Sequence, residues 1–146
     1  MRMIKWQNGT VITPDQTKLP LQEVTLEIQT VEQMAEAIKN LRVRGAPLLG
    51  AAAAFAIAIA AYHSNAKTPQ QLISELENAG NTIKKQRPTA VNLFWGVDRV
   101  LKKAKTIQDN IEEIKNKVIE EAQKIADEDA QNNRSIGKNG SPLIED

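Results

Sequence analysis

From Pro47 to Tyr62 the chain carries no charged residue, and eight of these sixteen positions are alanine. A helix that is apolar on every side must be surrounded by other apolar matter, either a bilayer or the rest of a folded domain. Sixteen helical residues reach about 24 Å, whereas a bilayer core takes about 20 apolar residues. Alanine also drives insertion weakly, and the large apolar side chains before Tyr62 are only Leu48, Leu49, Phe55, Ile57 and Ile59. The run therefore predicts the central helix of a helical domain, not a membrane anchor.

The rest of the chain supplies what such a helix needs around it. Asn8-Gly9 between short apolar runs marks a tight hairpin. Val24, Leu26 and Ile28 alternate with polar residues, the period of a half-buried strand. Thr30 with Gln33 forms a capping-box pattern ahead of the stripe Val31, Met34, Ala35, Ile38 and Leu41. Thr68-Pro69 opens another helix, with Leu72, Leu76, Ala79 and Ile83 facing inward. After Pro88, the residues Ala90, Phe94, Val97, Leu101 and Ala104 recur at helical spacing. Ile107, Ile111, Ile114, Val118, Ala122 and Ile125 do the same in a longer amphipathic helix. From Ser135 the text turns to Gly, Ser and Pro, which predicts a loop. The expected fold class is α+β, mostly α: a small N-terminal antiparallel sheet of about three strands, then a bundle of about five helices around the Ala-rich one. The expected boundaries are a sheet over 1–29, a bundle over 30–134 and a linker over 135–146.

Composition narrows the function. The 146 residues carry a net charge of +1 and few aromatics, which gives no footing for nucleic-acid binding. There is no cysteine, so disulfides, Cys-based zinc sites and a cysteine nucleophile are excluded within these residues. The first residues lack a signal-peptide pattern, and a cytoplasmic location is the expectation.

Two stretches could hold an anion. In "RVRGAP" (42–47), Gly45 permits an unusual backbone and Pro47 suits a helix's first turn, where unpaired N–H groups and the helix dipole favour negative charge. Arg44 adds a planar fork of donors. In "RPTAVNLFW" (87–95), Pro88 holds Arg87 extended at the entrance of the next helix. The same residues also fit ordinary surface charges at helix turns, and spacing alone leaves both readings open. His63, the sole histidine, suits a C-terminal helix cap, and Asp127, Glu128 and Asp129 suit a solvated face. Neither set has metal-ligand spacing.

"VRGAP" before an Ala-rich helix, with "RPTAVNLFW" some forty residues on, resembles the N-terminal part of the methylthioribose-1-phosphate isomerase family. That superfamily also contains ribose-1,5-bisphosphate isomerase and the regulatory subunits of translation initiation factor 2B. "DQTKLP" at 15–20 and "EDAQNNRSIGKNG" near the end are similar to the family's corresponding segments. The resemblance implies substrate-binding roles for Arg44, Gly45, Ala46 and Arg87. It implies an aldose–ketose isomerisation of 5-methylthioribose 1-phosphate to 5-methylthioribulose 1-phosphate in methionine salvage, without metal or organic cofactor.

The family's acid–base pair, a cysteine and an aspartate, belongs to a following Rossmann-like domain, so no catalytic residue is expected in these 146 and no turnover from them alone. The implied partners are the sugar phosphate, that C-terminal catalytic domain and, in the complete enzyme, a second copy in a homodimer; neither nucleic acid nor membrane is expected. Two alternatives stand beside this expectation: a non-catalytic interaction module like the initiation factor 2B regulatory subunits, and part of a ribose-1,5-bisphosphate isomerase.

Overall fold

The computed structural model describes residues 2–144. Three strands, β1 (Lys5–Gln7), β2 (Thr10–Pro14) and β3 (Thr25–Ile28), precede five helices: α1 (Val31–Lys39), α2 (Ala46–His63), α3 (Pro69–Lys84), α4 (Val91–Lys105) and α5 (Ile111–Gly140). A single 3-10 turn, Ser141–Leu143, follows.

The sheet is antiparallel in the order β1-β2-β3. Its first turn is Asn8-Gly9, with φ of 47° and 85°, the pair of left-handed residues that a two-residue hairpin requires. That tip rests on the C-terminal end of α2. The Gly9 carbonyl lies 2.9 Å from His63 Nε2, and a Cβ on Gly9 would stand 2.4 Å from the Tyr62 ring. Trp6 stacks on Phe55 at 5.9 Å and meets Tyr62 edge-on. Val11, Thr13 and Ile28 turn inward and are buried. The expected dry face of β3 fades outward, from buried Ile28 through half-buried Leu26 to exposed Val24.

α2 is the core. At 18 residues it is longer than the uncharged run and, by length and composition alone, long enough to cross a membrane. The expectation that it falls short is therefore corrected, and burial decides its place instead. Thirteen of its residues are buried in the domain, from Leu48 to Ala61. Its closest crossing is with α4, where a Cβ on Gly96 would come within 2.3 Å of the Gly50 carbonyl oxygen. Backbone meets backbone there, about one turn from the start of each helix, so the two helix starts are held side by side.

Several local expectations shift. The α1 stripe ends at Ile38. Leu41 lies beyond it, exposed and at φ 61°, because the chain reverses there and the Arg42 and Val43 N–H groups return to the Ala37 carbonyl. In α4 the buried face is Leu93, Gly96, Val97, Val100 and Ala104, with Phe94 and Leu101 on its margin. The last helix starts at Ile111, capped by Asn110, and Ile107 packs on the core from the preceding loop. α5 then runs through Ser135 to Gly140, where a loop was expected. Glu145 and Asp146, the end of the expected linker, lie outside the described residues.

Candidate functional site

The two arginines of "RVRG" take opposite roles. Arg42 donates from Nε to Asp15 at 2.9 Å and from an Nη to Glu36 at 3.0 Å. The Asp15 side chain is only 2% exposed and also accepts from the Thr17 hydroxyl at 2.6 Å and the Thr17 N–H at 3.0 Å. The Thr17 hydroxyl, then Arg42, hold the Asp15 carboxyl below its ordinary value against the opposing effect of burial. Asn40 and then Arg42 do the same for Glu36. This cluster ties the β2–β3 loop to the turn before α2, reinforced by Gln16 N–H to Arg42 O (2.9 Å) and Gln16 Nε2 to Arg44 O (3.0 Å). Arg42 is thus a structural residue, and the backbone of Arg44 is fixed from behind.

Arg44 is exposed, and its guanidinium makes no ion pair or hydrogen bond among the described residues. The same holds for half-buried Arg87. Both line one open cleft of about 660 Å³, together with Gly45, Ala46, Leu41, Leu49, Thr89, Ala90, Val91 and Asn92. The four residues expected to bind substrate are therefore brought together, and the volume lies in the range of small-molecule sites. Gly45 sits at φ 105°, a conformation that favours glycine, and open space lies where its Cβ would be. A ligand could approach the backbone there without obstruction.

The cleft opens on two helix starts of one kind. α2 follows Gly45 and α4 follows Ala90 as their N-cap positions, and neither receives a side-chain cap. α1, α3 and α5 are each closed by their own Thr30, Thr68 and Asn110. Two uncapped first turns, with their dipoles and two unpaired guanidinium groups, form an anion-holding arrangement.

The other candidates resolve differently. The His63 ring reaches Gly9 across the hairpin and does not return to its own helix end. Glu128 is no solvated bystander: it pairs in fork fashion with Arg99 at 2.6 and 2.9 Å. Asp127 pairs with Arg2. A depression of about 680 Å³ beside α5 is as large as the cleft, but its lining mixes Arg2 and Arg134 with Asp127 and Asp129. Its charges balance, and Arg2 is already paired with Asp127, so it lacks the cleft's excess of positive charge. No cluster of three or more His, Cys, Asp or Glu among the described residues could hold a metal. Sequence reasoning passed over Thr89 and Asn92 as site residues although both stand inside the quoted "RPTAVNLFW". It also passed over Leu41 and Val91, whose apolar character gave no chemical signal.

Comparison with known proteins agrees with this architecture. The chain is 43% identical, over its full length, to the methylthioribose-1-phosphate isomerase of Acetivibrio thermocellus, of which it covers 43%. The crystal structure of 5-methylthioribose 1-phosphate isomerase from Pyrococcus horikoshii superposes with a TM-score of 0.93 at 41% identity, over 98% of this chain and 40% of that one. The translation initiation factor eIF-2B subunit delta from A. fulgidus superposes with a TM-score of 0.92 at 42% identity, over 100% and 42%. The chain thus spans about two fifths of the length of the relatives it matches. The Initiation factor 2 subunit family matches residues 42–146, and the protein belongs to that family.

Proposed function

We propose that this chain is the phosphate-holding part of an aldose–ketose isomerase that converts 5-methylthioribose 1-phosphate to 5-methylthioribulose 1-phosphate. One observation carries the reading: Arg44 and Arg87, both without partners among the described residues, line one cleft at two uncapped helix starts. A phosphate there would take charge-assisted hydrogen bonds from the guanidinium groups and from first-turn N–H groups. Gly45 would let the ligand lie against the backbone. Held in this way, the phosphate stays in place while the sugar ring opens and hydrogen moves between C2 and C1. The acid and base for that transfer come from outside these residues, in the C-terminal catalytic domain that the resemblance implies. The chain alone would bind but not turn over.

The test is binding of 5-methylthioribose 1-phosphate by calorimetry, to this chain and to a chain extended to the relatives' length. Arg44→Ala and Arg87→Ala should each weaken binding by about 1.5–3 kcal/mol, the value of a hydrogen bond to a charged group. Turnover should appear only in the extended chain. Binding of ribose 1,5-bisphosphate in preference would move the reading to that sugar. Binding of neither would move it to a regulatory interaction module.

A further inference from the structure

Asn-Gly occurs twice in the chain, at Asn8-Gly9 and at Asn139-Gly140. The pair is open to deamidation because glycine, lacking a Cβ, leaves its amide nitrogen free to reach the preceding side chain. That nitrogen bonds to the Asn Cγ, the Cγ–Nδ2 bond breaks, and the nitrogen's proton leaves with the amide group as ammonia. Water then opens the resulting succinimide at either carbonyl, giving aspartate or isoaspartate. Ring closure requires rotation about the Asn Cα–C bond, which swings the following glycine with it. The fold opposes that rotation unequally at the two sites.

Asn8 is exposed, but Gly9 is buried. The pairing of Gln7 with Thr10 closes the hairpin around them. The Gly9 carbonyl is held by His63 at 2.9 Å, and the Tyr62 ring lies against Gly9. Moving Gly9 therefore means lifting the hairpin tip off α2. Asn139 has no such support. α5 buries no residue after Ala126, and over 131–140 every residue except Ser135 and Gly140 is exposed. Beyond the adjoining chain, nothing among the described residues lies within 4 Å of where a Cβ on Gly137 or Gly140 would stand. Two glycines and an asparagine also make this a weak last turn for a helix. It opens locally, without the rest of the domain.

We propose that Asn139 is a site of spontaneous deamidation in the folded protein, and that the docking of Gly9 on Tyr62 and His63 protects Asn8 from the same reaction. Conversion would place a negative charge at the C-terminal end of α5, where the helix dipole disfavours it. Isoaspartate would also lengthen the backbone by a methylene and break the hydrogen-bond register of the last turn. The cleft plays no part in either effect.

Incubating the full chain at mildly alkaline pH, folded and in parallel in concentrated urea, tests this. Isoaspartyl methyltransferase labels the isoaspartate in the intact protein. Mass spectrometry after cleavage at glutamate locates it, since Asn8 falls in peptide 1–23 and Asn139 in peptide 129–145. Asn139 should convert about tenfold faster than Asn8 in the folded chain, and the two rates should converge in urea. Gly137→Ala keeps the Asn-Gly pair but strengthens its turn, so it should slow Asn139 about fivefold in the folded chain and leave the rate in urea unchanged. His63→Ala frees the hairpin tip and should speed Asn8 alone. Equal rates at the two sites in the folded chain, faster conversion of Asn8, or an Asn139 rate unmoved by Gly137→Ala would each overturn the assignment of Asn139. An Asn8 rate unmoved by His63→Ala would overturn the protection of the hairpin.

Discussion

The starts of α3 and α4 are a useful pair to set side by side. α3 is closed locally: the Thr68 side chain accepts from Gln71 N–H at 3.1 Å, and Pro69 fixes the first turn. α4 follows Ala90, which provides no such cap, next to the equally uncapped start of α2. The closed starts are complete within a few residues of chain. The open starts owe their usefulness to each other, because only their adjacency places Arg44 and Arg87 on one cleft. A local feature therefore governs stability at α3, and a long-range crossing governs the site at α2 and α4.

The strongest way to break this contrast is Gly96→Ala. The new methyl would meet the Gly50 carbonyl oxygen at 2.3 Å, and neither helix backbone can yield as a flexible side chain would. A loss of about 3 kcal/mol is expected in urea unfolding, accompanied by weaker phosphate binding because the two helix starts move apart. Thr68→Ala is the matched control at a closed start. It should lower stability by about 1 kcal/mol with phosphate affinity unaltered.

Arg42→Ala loosens the turn into α2 without touching the cleft lining. It removes the partner of a nearly buried Asp15 and should lower stability at neutral pH by about 2 kcal/mol, allowing for the partial exposure of Arg42. The sign of the pH effect follows from the depressed Asp15 carboxyl. Its contribution is present above the ordinary value of 3.8 and is lost as pH falls through the lower folded value. Without Arg42 that folded value moves upward toward the ordinary one, so the acid limb of a Tm–pH curve, which begins at the unfolded value in both proteins, should be shallower and end at higher pH in the variant. Identical acid limbs would mean that the Thr17 hydrogen bonds alone set the Asp15 carboxyl.

What could be read from the sequence follows the same division. The Asn8-Gly9 hairpin, the Thr30 and Thr68 caps and the burial of α2 are encoded in short stretches, and each was legible. The start of α5 was not, because Ile107 and Ile111 both pack on the core and the apolar spacing runs through the loop between helices without marking it. Nor does the pattern of apolar residues account for the continuation of α5 through Gly137 to Gly140. At the site, Arg44 and Arg87 stood out by their place before helix starts, and a known motif coincided with them. Their convergence depends on Gly50 and Gly96, 46 residues apart in the chain, which no local signal reveals. Arg42 looked like Arg44 for a related reason: Asp15, its buried partner, lies 27 residues away.

The finest test of the comparison turns an open start into a closed one. Ala90 already has the extended backbone of a capping residue, φ −82° and ψ 95°, so Ala90→Ser needs no rearrangement. Its hydroxyl can accept from the first-turn N–H groups as Thr68 does in α3. Stability should rise by about 0.5–1 kcal/mol, the ordinary value of such a cap. If those N–H groups serve an anion, the same substitution should weaken methyl phosphate binding, since the hydroxyl competes for the donors the ligand would use. A more stable variant with undiminished affinity would show that the two arginines hold the phosphate without the α4 dipole, leaving the open start of α2 as the only backbone contribution.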